Sequence, residues 1–177
     1  DNIDIVINEL DALFNIDLRT REPKKELTSL NLVRFGTSGS LQADILVDSF
    51  VLSSYGLGMD NMFHSYKDSV KVREIAMEDA FIAHTHWHLD KGRPYIVACG
   101  KELKKRLLTA QVFEGITGTA PGFYAPQGRE LRLEVQDRTL NDKLHSYNYN
   151  GCRMTNLEME TSAIYGLSKL LGHQAVS

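Results

Sequence analysis

Phe123, Gln127 and Arg129 fall within one short loop, Phe123-Tyr124-Ala125-Pro126-Gln127-Gly128-Arg129, and offer an aromatic face, a carboxamide and a guanidinium. That set suits a flat heterocycle with adjacent carbonyl and N–H groups. The ring would stack on Phe123, while Gln127 donates and accepts in the ring plane. Arg129 adds a fixed fork of donors for a carbonyl or a developing anion. The same residues also read as a surface turn stiffened by Pro126 and Gly128, with incidental polar groups.

Two further segments carry chemistry. In Leu32-Val33-Arg34-Phe35-Gly36-Thr37-Ser38-Gly39-Ser40 an apolar run enters a loop with two glycines. Successive backbone N–H groups in such a turn can form an anion-binding concavity, helped by the Thr37 and Ser38 hydroxyls. Arg34 is suited to bidentate phosphate recognition. The loop has neither the lysine nor the spacing of a Walker motif, and a plain strand exit is the alternative. In Thr155-Asn156-Leu157-Glu158-Met159-Glu160-Thr161, two carboxylates precede apolar residues 163, 164, 167, 170 and 171, which are helically spaced. Glu158 and Glu160 either cap that helix or grip vicinal hydroxyls of a sugar with Met159 against its apolar face.

Element types alternate along the chain, which points to an α/β fold. Ile3, Val6, Ile7, Leu10, Leu13 and Phe14 mark an amphipathic helix. Residues 19–29 read as a charged loop, 30–35 as a buried strand and 48–53 as another. Helices are expected over 78–85 and 101–108, a strand over 112–119, and a short helix over 140–147. A strand over 152–157 precedes the helix that opens at Thr161 and stops at Gly172. Residues 174–177 look like a strand barely begun. No repeat or domain boundary is evident, so 1–177 reads as a single domain. All three motif segments follow predicted strands, where ligands collect in open α/β sheets.

His84-Thr85-His86-Trp87-His88 has the composition of a zinc site. On a strand three imidazoles would share a face; on a helix His84 and His88 would meet at i and i+4. Asp90 is the nearest further ligand. The stretch also reads as the frayed end of the preceding helix, and no metal is assigned. His145 and His173 read as surface residues, and His64 carries no assigned role.

Taken in order, Arg34-Phe35-Gly36-Thr37-Ser38-Gly39, the Phe123/Gln127/Arg129 loop and Glu158-Met159-Glu160 resemble the uridine phosphorylases of the nucleoside phosphorylase-I family. The resemblance implies a three-layer α/β/α fold around a mixed, partly barrel-like sheet. It also implies truncation at both ends, because a phosphate loop before residue 1 and a final strand after 177 have no counterpart here. Ala125-Pro126 departs from loops that often carry glycine. The implied activity is phosphorolysis of uridine, or deoxyuridine, to uracil and the (deoxy)ribose 1-phosphate in pyrimidine salvage. Phosphate would sit on Arg34 and Thr37, and Phe123, Gln127 and Arg129 would hold the base with Ser38 and Gly39 beside it. Thr37, Glu158, Met159 and Glu160 would hold the ribose. Arg129, with Gln127 orienting the ring, would stabilise the departing base anion. Phosphate is a co-substrate, no cofactor is required, and a homo-oligomer, dimer or hexamer, is implied. The other readings are a nucleoside hydrolase, a non-catalytic nucleoside-binding piece and, last, a His-cluster metal hydrolase.

Composition sets outer bounds. An apolar fraction of 42% is enough for a core, and a net charge of −3 without a basic run gives no footprint for nucleic acid. Two cysteines without metal-ligand spacing fit reduced thiols in the cytoplasm. No apolar stretch approaches a membrane span.

Overall fold

Three parallel strands with almost no exposed side chains form the middle of the sheet in the computed structural model, which describes residues 2–177. In chain order, α1 (Ile3–Asn15) runs into a small antiparallel ribbon, β1 (Ile16–Asp17) and β2 (Glu22–Pro23). There follow β3 (Asn31–Val33), β4 (Gly39–Ser40), β5 (Phe50–Gly58), α2 (Ile75–Thr85), β6 (Tyr95–Ala98) and α3 (Lys101–Leu107). The remainder is β7 (Val112–Thr119), α4 (Leu140–Ser146), β8 (Asn148–Tyr149), β9 (Cys152–Glu158), α5 (Thr161–Leu170) and β10 (Gln174–Val176).

The main sheet has the order β4-β9-β7-β5-β6, with β8 also paired to β9. Strands β5, β7 and β9 are mutually parallel, and β4 and β6 are antiparallel to their neighbours. Gly58 lies opposite Thr119, and Thr119 opposite Glu158, so the carboxyl ends of the three parallel strands are level. Parallel strands of this kind are buried on both faces. Leu103, Ile164, Tyr165 and Leu167 of α3 and α5 pack with Ile7 of α1 on one face, against Tyr95 and Val97. Met77, Phe81, Leu140 and Leu144 of α2 and α4 cover the other, against Ile96. The period-two alternation of β6 thus feeds two cores and makes three layers.

Two close fits lock the layers. A Cβ on Gly56 would lie 2.7 Å from the Ser162 Cα, so only glycine lets α5 approach β5 this closely. Glu78 of α2 is fully buried, and its carboxylate accepts from Arg73 Nε (2.8 Å) and Nη2 (2.5 Å), Arg93 Nε (3.3 Å) and the Ile96 N–H (3.0 Å). Removing one partner of such a buried group typically costs roughly 3–5 kcal/mol.

Three sequence expectations change. The 30–35 strand is neither long nor buried: β3 covers three residues, pairs only with β10, and leaves Phe35 exposed just beyond it. Leu32 alone of the strand packs into the core, and a single neighbouring strand leaves Val33 and Phe35 in solvent. The strand expected at 48–53 continues to Gly58, and β6 was not anticipated. The sheet is mixed as expected, and among the described residues its edges β4 and β6 do not pair with each other, so no closed barrel forms. No described helix is long and apolar enough to cross a membrane.

Candidate active site at the carboxyl ends of the parallel strands

Level strand ends place three connections on one rim. β7 leads into the Phe123–Arg129 segment, and β9 leads into Met159 and Glu160. The antiparallel pairing of β4 with β9 sets Gly39 opposite Leu157 and Ser40 opposite Asn156, which carries the glycine-rich loop to the same rim. Ser38 Oγ accepts from Asn156 Nδ2 (2.8 Å), and the Asn156 carbonyl oxygen accepts from the Thr117 and Thr155 hydroxyls (2.8 Å each). A Cβ built on Gly39 would stand 3.5 Å from an Arg129 guanidinium nitrogen, so the first two motif segments touch.

Arg34 joins the first motif to the third. Its Nη2 donates to Glu160 Oε2 at 2.6 Å and lies 3.3 Å from Glu158 Oε2, while Nη1 reaches Ser177 Oγ at 3.4 Å. A Cβ on Gly36 would come within 3.0 Å of that guanidinium, so the glycine lets Arg34 fold back across its own loop. The two glutamates differ sharply. Glu158 is buried and caps α5: it accepts from the Glu160 N–H (2.8 Å), the Thr161 N–H (2.9 Å) and Thr119 Oγ1 (2.7 Å). The Ser162 N–H donates to Thr119 Oγ1 (2.9 Å), so the first amides of α5 are taken by protein groups and not offered to an anion. Glu160 is half-buried, with Arg34 alone among the described residues on its carboxylate, and Met159 beside it is half-buried as well. Thr37 is exposed on the loop between Arg34 and Gly39.

The aromatic loop is built around one tight turn, Ala125–Gln127, closed by Gly128 at φ +72°. Asn141 of α4 donates to the Gln127 carbonyl (3.1 Å) and occupies the space a Gly128 side chain would need. Gln127 is buried, and its amide donates to the Gly122 carbonyl (3.2 Å). Arg129 Nη1 donates to Gln127 Oε1 (2.6 Å) and to the Phe123 carbonyl (2.8 Å). Its guanidinium carbon stands 4.1 Å from the Phe123 ring centroid, a cation–π stack. The three residues therefore meet, but they engage one another: Phe123 stacks on Arg129, and a planar ligand would use its second face or displace the guanidinium.

The histidine stretch diverges. α2 ends at Thr85, His86 turns the chain at φ +50°, and His88 caps a separate short turn by accepting from the Asp90 N–H (3.2 Å). His84 instead reaches the Lys143 carbonyl (3.0 Å) and Ser146 Oγ (3.1 Å), so His84 and His88 do not share a helix face. Among the described residues no group of three or more His, Cys, Asp or Glu could hold a metal ion. His173 is a correction: it is buried, not on the surface. Its Nδ1 accepts from the Leu30 N–H (3.2 Å), which places the proton on Nε2, 3.1 Å from Asp11 Oδ1.

A family model described as the phosphorylase superfamily matches residues 15–177. The chain belongs to the phosphorylase superfamily. Among solved structures, a Trypanosoma brucei nucleoside phosphorylase described as showing uridine phosphorylase activity superposes with a TM-score of 0.79 at 26% identity. That superposition covers 99% of this chain and 65% of the trypanosomal one. A Schistosoma mansoni uridine phosphorylase in complex with thymine gives 0.53 at 25% identity, covering 97% of this chain and 53% of that one. An oomycete uridine phosphorylase from Phytophthora capsici shares the fold at 21% identity and 0.53, over 99% of this chain and 58% of that one. The chain thus spans about half to two thirds of these phosphorylases. No curated protein sequence is significantly similar to it.

Sequence reasoning missed the groups that hold the candidate site together, namely Thr119, Asn156 and Thr117. Their signal was available: each lies on a strand in or beside a motif, and a buried hydroxyl or amide there must find a partner.

Proposed function

We propose that this chain carries the base- and sugar-binding core of a phosphorylase that cleaves uridine, and deoxyuridine by the same contacts. One observation carries the reading. The Gln127–Arg129 pair and the Arg34–Glu160 pair stand at the level ends of neighbouring parallel strands, linked through Gly39. A carboxamide hydrogen-bonded to a guanidinium offers donors and acceptors that match the edge of uracil, whose departing anion Arg129 stabilises. Phosphate, already anionic, attacks the anomeric carbon from the Arg34 and Thr37 side without an obligatory general base. Glu160 and Met159 hold the ribose between nucleophile and leaving group, and such positioning supplies much of the rate. Glu158, whose oxygens are taken by α5 and Thr119, acts as a brace for Arg34 and α5 and not as a hydroxyl ligand. The 26% identity to the trypanosomal enzyme supports the choice of uridine.

The test is uracil release from uridine by the full-length protein, with and without inorganic phosphate, and with inosine in parallel. Phosphate-dependent release, ribose 1-phosphate as co-product and little turnover of inosine are expected. Release that ignores phosphate would make the protein a nucleoside hydrolase. Equal turnover of inosine would overturn the base assignment.

A further inference from the structure

The loop that presents Gln127 and Arg129 has a second side. Pro121, Ala125 and Pro126 line a cleft of ≈ 390 Å³ together with Met59, Trp87 and Leu140. This volume lies in the range of small-molecule sites, and the lining is mainly apolar, as in such sites. The Trp87 indole N–H is satisfied by the Gly92 carbonyl (2.7 Å), so the ring itself is the recognition surface. Lys91 Nζ stands 4.9 Å from the Trp87 ring centroid.

The charges in this cleft are unevenly matched. Asp137 is taken by Lys143 Nζ (2.8 Å) and by the Thr139 hydroxyl (2.7 Å) and N–H (2.9 Å). Asp60 accepts from the Met62 N–H (2.9 Å) and the Tyr95 hydroxyl (3.2 Å). Lys91 has no carboxylate partner of its own among the described residues; Asp137 acts on it only at a distance, and burial pulls its ammonium below the usual lysine range. Both acids are therefore committed elsewhere, while a half-desolvated cation faces an aromatic wall. A carboxylate on that ammonium would gain a charge-assisted hydrogen bond.

We propose that this cleft is a second ligand site, taking a small planar aromatic monocarboxylate with its ring against Trp87 and the two prolines and its carboxylate on Lys91 Nζ. The proposal does not rest on uridine cleavage, because Phe123, Gln127 and Arg129 are not among the residues that line this cleft.

Trp87 is the single tryptophan of the chain, so its emission reports on this cleft alone. The probe is 4-nitrobenzoate, with 4-nitrobenzamide as its neutral counterpart and free N-acetyltryptophanamide correcting for absorbed light. Saturable quenching by the carboxylate is expected, with the amide binding about tenfold more weakly, the size of one charge-assisted bond. Lys91→Met should weaken the carboxylate by a similar factor, whereas Lys91→Arg and Phe123→Ala should leave it within about twofold. Quenching that never saturates, equal binding of the amide, indifference to Lys91→Met, or loss in Phe123→Ala would each overturn the site.

Discussion

At the scale of single residues, the pairing of Arg34 with Glu160 is the feature with the most direct consequence. On the proposed function, phosphate competes for a guanidinium that already holds a carboxylate at 2.6 Å. Arg34→Ala should raise the KM for phosphate and depress turnover by about 10²-fold or more, on the scale of a lost charge-assisted contact in a water-excluded site. Arg34→Lys should restore only part, because an ammonium cannot bridge two groups as a planar fork does. Steady-state kinetics at varied phosphate check this, and unchanged phosphate dependence in Arg34→Ala would place the anion elsewhere. The structure brings the three motif segments together at one rim, and that they carry functional groups suited to a common site was legible in the sequence. The partners were not. Nothing local in Glu158-Met159-Glu160 says that the first carboxylate turns inward to α5 and Thr119 while the third stays half-open. That choice is made by β9 pleating one side chain into the sheet end, against a strand distant in sequence. The burial of His173 was hidden for the same reason, since the Leu30 N–H that donates to its Nδ1 and the Asp11 carboxylate near its Nε2 come from distant parts of the chain.

At the scale of elements, the short helix α4 positions the base loop by way of Asn141, whose amide holds the Gln127 carbonyl at 3.1 Å. α4 is itself anchored by Asp137. The Lys143 ammonium, then the Thr139 hydroxyl and N–H, hold the Asp137 carboxyl down to about 2, well below its ordinary range. A carboxyl depressed in the folded state stabilises above its unfolded value near 4, and that contribution is lost as pH falls through about 2. Asp137→Asn should therefore lower the unfolding midpoint at pH 7, and its difference from wild type should shrink from pH 4 toward pH 2. Denaturant melts across that range check it, and a pH-independent difference would assign the effect to packing. Helices α1, α3 and α5 were legible from their apolar spacing, and β7 from its apolar run. β6 was overlooked although Tyr95-Ile96-Val97-Ala98 is a plain apolar run after Pro94. The far half of β5 was hidden for a better reason: Ser54, Gly56 and Gly58 have poor strand propensity, and the two glycines are there because α5 presses on the first and Tyr95 on the second.

At the scale of the whole molecule, the two ends of the sheet system are finished differently. The β6 side is closed by Glu78 and its arginines, whereas β3 has β10 on one edge and no described strand on the other. Val33 (58% exposed), Phe35 (86%) and Phe50 (60%) gather there, with the two phenyl rings 6.3 Å apart. An unpaired strand edge beside apolar side chains is a template for pairing with another chain. The 177-residue chain should therefore self-associate at concentrations of roughly tens of micromolar. Replacing both Val33 and Phe35 with lysine should suppress this, since charge on an edge strand opposes pairing. The cost to folding should be small, because exposed positions usually contribute within about 0.5 kcal/mol. Sedimentation velocity on the two chains is the measurement. A wild-type chain that stays monomeric would show that this edge does not recruit partners. A discrete dimer insensitive to both lysines would move the contact to another face, with the α1 side, where Ile5 and Leu13 are exposed, as the next surface to substitute.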